Sequence, residues 1–140
     1  MEGLEGINEL TSQVLSACVE VHRHLGPGLL ESSYEACVHH ELLQRGVSCE
    51  RQAFVPLTYK DLMIPDAYRI DLLVAKRVVL EVKAVDNLLD VHLAQVITYL
   101  RLTGAPVGLL VNFRARNLYG QIRRLVNPAH AVPRVTVGSR

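Results

Sequence analysis

Aromatic side chains make up only 5% of the chain and form no cluster along it. Without a series of rings to stack on, base-by-base readout of a nucleic acid is not expected. Cysteine is scarce and odd in number: Cys18, Cys37 and Cys49 lie far apart. That spacing gives neither a disulfide framework nor a zinc site, and it fits reduced thiols filling a core. No apolar run approaches the roughly 20 residues that a membrane span needs, so no membrane partner is expected. The opening stretch MEGLEGINEL is acidic, unlike a signal peptide, and points to a cytoplasmic protein. Gly26-Pro27-Gly28 is not followed by G-x-x-x-x-G-K, so it reads as a turn and not as a phosphate loop. Acid is missing from the whole second part of the chain. All 14 acidic residues lie at or before Asp90, whereas Val91 to Arg140 carries seven arginines. This gradient suits a basic surface beside an acidic pocket, as a phosphodiester substrate would require, although arginines in a solvated tail would give the same count.

What is present is enough apolar material for one domain. The chain has 140 residues, 49% of them hydrophobic and 21% charged, with a net charge of +1. Residues 1–126 read as a single domain and residues 127–140 as a loosely held tail. Asn8 can cap a helix whose apolar stripe runs through Leu10, Val14, Ala17 and Val21 to about Leu25. A second helix is expected from about Leu30 to Arg45, closed by Gly46, with Tyr34, Val38 and Leu42 facing inward. Glu31 extends that stripe by one turn, and a carboxylate on a buried helix face is costly unless paired or metal-linked. Glu35 has a duller explanation, since Ser32-x-x-Glu35 has the form of a capping box. Gln52 to Tyr59 reads as a strand in which Pro56 implies an edge position or a bulge. A helix from about Leu88 to Leu102, stopped by Gly104, carries Leu89, Leu93, Val96 and Leu100 on one face and His92, Gln95 and Tyr99 on another. Val107 to Asn112 is a fully apolar strand, and Leu118 to Val126 can add a fifth.

The centre of this arrangement is YRIDLLVAKRVVLEVKA, Tyr68 to Ala84. Two β-branched or aliphatic runs flank a polar Ala75-Lys76-Arg77 turn, which places Val74 opposite Val78, Leu72 opposite Leu80 and Asp71 opposite Glu81. Alternation then puts Asp71, Glu81 and Lys83 on one face, and Ile70, Leu72, Leu80 and Val82 on the other. Opposed side chains lie roughly 4.5–5.5 Å apart at Cβ, so two carboxylates there destabilise each other unless a cation separates them. Mg²⁺ is the natural candidate, because it accepts one or two carboxylates and completes its octahedron with water and phosphate oxygens. The plain alternative is a solvated strand face bearing ordinary surface charges.

The set Asp71, Glu81 and Lys83 resembles the Asp…Glu-x-Lys core of the PD-(D/E)XK nuclease superfamily. Gly28-Leu29-Leu30-Glu31-Ser32-Ser33-Tyr34 has the form G-x-x-E-x-x-Y. With YRIDLLV, VVLEVKAV, HLAQVITYLRLTG and GLLVNF following in order, the chain resembles the GxxExxY family, a small branch of that superfamily, over roughly Ile7 to Phe113. The resemblance implies an α/β, restriction-endonuclease-like core: a central mixed sheet of four to five strands flanked by helices. It implies a metal-dependent nuclease acting on nucleic acid, DNA being the expected substrate, with Mg²⁺ or Mn²⁺ as cofactor. By the same resemblance Asp71 and Glu81 would be metal ligands, with the Val82 carbonyl as a third. Glu31 would reach the metal directly or through water, and Lys83 would hold the attacking water or the charge developing at phosphorus. Gln95 and Tyr99 match a Gln-x-x-x-Tyr element that orients the site and the strand. Ile64-Pro65 departs from the pattern, since a more flexible entry to the strand carrying Asp71 would be expected.

Other readings stand beside these. Tyr34 and Tyr99 serve equally as core aromatics, and His92 reads as a supporting or surface residue. A nuclease-fold protein that binds nucleic acid or a protein partner without cutting has no need of the clustered Asp71, Glu81, Lys83 and Gln95. A homodimer could be assembled through the apolar Leu10–Leu25 helix.

Overall fold

A computed structural model describes residues 4–130 of the chain. The elements are α1 (Ile7–Leu25), α2 (Glu31–Gln44), β1 (Cys49–Tyr59), β2 (Leu62–Val74), β3 (Val78–Lys83), α3 (Asp90–Thr103), β4 (Val107–Asn112) and β5 (Ile122–Val126), followed by a 3₁₀ turn at Pro128–His130. They form one five-stranded mixed sheet in the order β1-β2-β3-β4-β5. Only β3 and β4 are parallel, joined by α3 as the crossover; the other pairs are antiparallel. The fold is therefore α/β with a restriction-endonuclease-like layout, as expected.

Each face of the sheet has its own core. Val14, Ala17, Cys18 and Val21 of α1 and Tyr34, Val38 and Leu42 of α2 pack on Leu72, Val74, Leu80, Val82, Leu109 and Val111. Val96, Tyr99 and Leu100 of α3 pack on Ala53, Val55, Ile70, Val79 and Leu110 on the other side. β4 is buried along its whole length because both faces are covered, which is why its sequence does not alternate. Gly108 sits directly under α3: a Cβ there would lie 2.5 Å from a Val96 methyl.

Turn chemistry follows the expected places. Ala75 and Lys76 take positive φ in the β2–β3 turn, and the ladder pairs Val74 with Val78 and Leu72 with Leu80. β1 is an edge strand, and its register with β2 shifts between Val55 and Leu57, where Pro56 faces Pro65, Asp66 and Ala67 between paired residues. Both readings of Pro56 hold, and Ile64-Pro65 enters this same irregular stretch.

Three local expectations are corrected. Asn8 is not a helix cap: α1 begins at Ile7 behind Gly6, and the Asn8 side chain instead accepts a hydrogen bond from Arg124 Nη2. Leu89 lies outside the core, exposed ahead of α3. Ile70 does not share a face with Leu72, Leu80 and Val82, for it packs under α3 while they pack under α1 and α2. The switch falls at Asp71, where the ladder skips a pair: Gln52, between the residues paired with Ile70 and Leu72, has φ of 52°. Asn127 is buried and donates to the carbonyls of Leu100 and Ala105. Residues 131–140, most of the expected tail, lie outside the described residues.

Candidate active site

The β2–β3 ladder stops one step short of the acidic pair. Its last pair is Leu72 with Leu80. Beyond it, side chains replace main-chain partners: the Asp71 N–H donates to Glu81 Oε2 at 2.9 Å, and the Val82 N–H donates to Asp71 Oδ2 at 2.9 Å. Each carboxylate thus binds the backbone of the opposite strand. The two strands are opened at this end and fastened by the acids themselves.

This placement is electrostatically expensive. Glu81 is only 3% exposed. Burial first, then the neighbouring Asp71 charge, push its carboxyl up to about 8. Burial also raises Asp71, to about 6, partly offset by the Val82 N–H and by Lys83. Glu35 adds negative charge to both groups and Glu31 adds it to Asp71. Lys83 lowers both carboxyls from the end of β3, yet among the described residues it forms no ion pair. Its ammonium is available to a further anion.

The other expected residues lie at different distances from this pair. Tyr99 is buried on α3 and its ring tilts against Tyr68 at 5.8 Å. Burial raises its phenol to about 12, with added contributions from Glu81 and Asp71 and an opposing one from Gln95 one turn earlier. Tyr99 is thus within electrostatic reach of both carboxylates, and Gln95 is hydrogen-bonded to it. Val82 contributes its N–H to Asp71 while its side chain fills the α1–α2 core. His92 accepts the Leu89 N–H at 2.9 Å, a local contact at the start of α3.

The acids of α2 exchange their expected roles. Glu31 is exposed, not buried, because the first turn of α2 projects past the end of β3; its carboxylate accepts the Ala84 N–H at 2.8 Å. Glu35 is the buried acid, 5% exposed, and it makes no capping contact. It accepts Arg51 Nε at 2.9 Å and Gln52 Nε2 at 2.7 Å. Gln52 is the residue of positive φ, so one side chain joins the interruption in β1 to a carboxylate beside the site.

Tyr34 accounts for the rest of the G-x-x-E-x-x-Y stretch. Fully buried, it stacks on Phe113 at 4.5 Å, donates its hydroxyl to Gly26 O at 2.5 Å and accepts the Leu29 N–H at 3.2 Å. Gly28 has φ of 107°, a conformation that glycine alone adopts readily. The tyrosine pins the loop, and the pinned loop delivers Glu31 to Ala84. Tyr34 is thus a core aromatic with a positioning role.

Sequence reading missed the supports: Glu35, Arg51, Gln52 and Asn112. Asn112, 1% exposed, binds both the N–H and the carbonyl of Val85 and fixes the chain that leaves β3. A polar residue closing the apolar run Val107–Val111 was the one signal for it. Among the described residues no group of three or more His, Cys, Asp or Glu side chains is arranged to hold a metal ion, and no helix is long and apolar enough to cross a membrane. No curated protein and no solved structure matches the chain. A family model described as PD-(D/E)XK nuclease superfamily matches residues 8–125. That span runs from the start of α1 into β5 and includes both carboxylates and the lysine, and the chain belongs to the PD-(D/E)XK nuclease superfamily.

Proposed function

We propose that this domain is a metal-dependent nuclease that hydrolyses phosphodiester bonds of nucleic acid, and that it falls in the GxxExxY branch of its superfamily. The observation that carries the reading is the acidic pair: Asp71 and Glu81 are forced together at an opened ladder, both raised in pKa, with unpaired Lys83 next to them. A structural ion pair would have been built with the lysine in contact. Oxygen-only donors fit Mg²⁺ or Mn²⁺, and two carboxylates suffice for an ion that keeps waters and takes substrate phosphate oxygens. The Val82 carbonyl is the third protein ligand in this reading. When bound, such an ion supplies an activated water and neutralises charge at the phosphate.

The protein's own residues would do the following. Asp71 and Glu81 hold their carboxylates in place through the N–H groups of Val82 and Asp71. Lys83 offers its ammonium to the attacking water or to the charge that develops on the phosphoryl oxygens. Glu31, fixed by the Ala84 N–H, orients water at the mouth of the site. Tyr99 and Gln95 present a neutral hydroxyl and an amide beside the carboxylates and position the substrate strand.

The deciding experiment is a cleavage assay with Mg²⁺ and with Mn²⁺ on single-stranded, duplex and branched substrates, comparing wild type with Asp71→Asn. Metal-dependent cleavage that disappears in the variant supports the reading. Absence of cleavage on every substrate, with nucleic acid still bound, replaces it with a binding module.

A further inference from the structure

A cleft lies away from the carboxylates, between the end of α1 and the β4–β5 loop. It has a volume of about 620 Å³, and Val19, Leu118 and Ile122 give it an apolar lining. Arg23, Arg116 and Tyr119 stand around it. Tyr119 is 93% exposed, and among the described residues no hydrogen bond or ring contact holds its side chain. A fully solvated aromatic at the edge of an apolar cleft has no folding role. Arg23 is occupied by Glu20 at 2.5 Å, whereas Arg116 has no carboxylate partner among the described residues.

The cleft is connected to the acidic site by two adjacent loops. Gly26 lines the cleft, while Leu29, Leu30 and Glu31, further along the same loop, line a second depression with Ala84 and Arg114. The β4–β5 loop runs beside it, placing Arg114 in that depression and Arg116 and Tyr119 at the cleft. Among the described residues the Arg114 side chain pairs with exposed Asp86 alone, at 3.2 Å, a surface pair worth little and open to exchange for a phosphate. From Lys83 outward, the basic groups along this path are Arg114 and Arg116, with the acids Glu31 and Asp86 at its inner end.

We propose that this cleft is a nucleotide subsite for single-stranded nucleic acid, in which a base stacks on Tyr119 over the apolar floor and its phosphate meets Arg116. Charge complementarity selects the polyanion. The ring selects the single strand, since a paired base has no free face to offer. The volume falls within the range of sites that hold one small organic group. Stacking of this kind tolerates any base, so the subsite sets strand preference and polarity without reading sequence. The subsite rests on the nuclease reading for its purpose but not for its existence.

The test is fluorescence anisotropy of the full chain, in EDTA at low salt, with a labelled single-stranded oligonucleotide (deoxyribo and ribo versions) and with a duplex of equal length. Tyr119→Ala is expected to weaken single-strand binding roughly tenfold while leaving duplex binding as it was, and Tyr119→Phe to restore it. Arg116→Gln should lower the salt dependence of single-strand binding by about 0.7 in log–log slope. Tyr119→Ala binding like wild type, or losing single strand and duplex equally, overturns the subsite; so does a wild type that binds no single strand. A cleavage assay separates the two ideas. Loss of single-strand binding in Tyr119→Ala, in a protein that cuts nothing with either metal, leaves the subsite standing and removes the nuclease. Cleavage by wild type with an unchanged KM in Tyr119→Ala does the reverse.

Discussion

The β2–β3 hairpin is two different structures at its two ends. Near the turn, Val74 faces Val78 and Leu72 faces Leu80 in a regular ladder, all four fully buried. One residue further, at Asp71 and Glu81, the ladder gives way to carboxylates bonded to main chain. The same two strands carry a stabilising half and a destabilising half, side by side. Apolar packing within the closed half, of order 1.5–3 kcal/mol per buried aliphatic side chain, compensates for an open half that would not hold itself together. Stored electrostatic cost at one end is tolerable because it is confined to a single pair of side chains, Asp71 and Glu81.

Substitutions can break this contrast. In the closed half, Leu80→Ala removes a fully buried side chain from the α1–α2 core and should lower stability by about 2–5 kcal/mol, measured by urea or thermal unfolding. In the open half, Lys83→Ala should reduce cleavage by about 10²–10³ while unfolding stays near wild type, the signature of charge lost from the reacting centre and not from the fold. Gly108→Ala, which drives a methyl against Val96 below α3, should cost about 1–3 kcal/mol by overpacking. Tyr34→Phe keeps the stack on Phe113 but releases Gly26 and Leu29; about 1 kcal/mol of stability should go, with cleavage falling as well because Glu31 is no longer held to Ala84.

The dependence on pH sharpens the comparison most. Both carboxyls are raised in the folded state, so the native protein keeps protons that the unfolded chain has already released. Their contribution is fully present below the unfolded value of 4.5 for Glu81 and is lost as pH rises through its folded value of about 8. Metal-free protein should therefore melt at a higher temperature near pH 5 than near pH 8. Glu81→Gln keeps an acceptor for the Asp71 N–H and removes the charge, so it should flatten that slope and gain most over wild type at the alkaline end. Saturating Mg²⁺ should flatten it in wild type too, adding about 2.7 kcal/mol at a hundredfold excess over Kd. A slope unaffected by Glu81→Gln would place the titrating group elsewhere.

Much of this was legible because it is local. The Ala75-Lys76-Arg77 turn set the register of its hairpin, Pro56 announced its own irregularity, and Val107–Asn112 could be nothing but a strand buried on both faces. The exchange between Glu31 and Glu35 was not legible. Helical period placed both near one stripe, and the choice depended on where the sheet ends and on Arg51 and Gln52, 16 and 17 residues further along. Ile70 was misplaced for the same kind of reason. The alternation breaks at Asp71, where the β1–β2 ladder skips a pair opposite Gln52, and no residue type in the stretch announces that break.

That turned residue has an effect beyond the site. β1 is an edge strand of 11 residues, long enough to attract a strand from another molecule. Gln52 rotates the peptide plane near one end of it, and Pro56, a few residues on, presents no N–H where its register with β2 slips. No straight run of more than a few donors and acceptors is left along that border. The irregularity that reaches Glu35 also keeps the sheet from growing, so copies of this chain meeting at high concentration lack a continuous edge to zip along on this side.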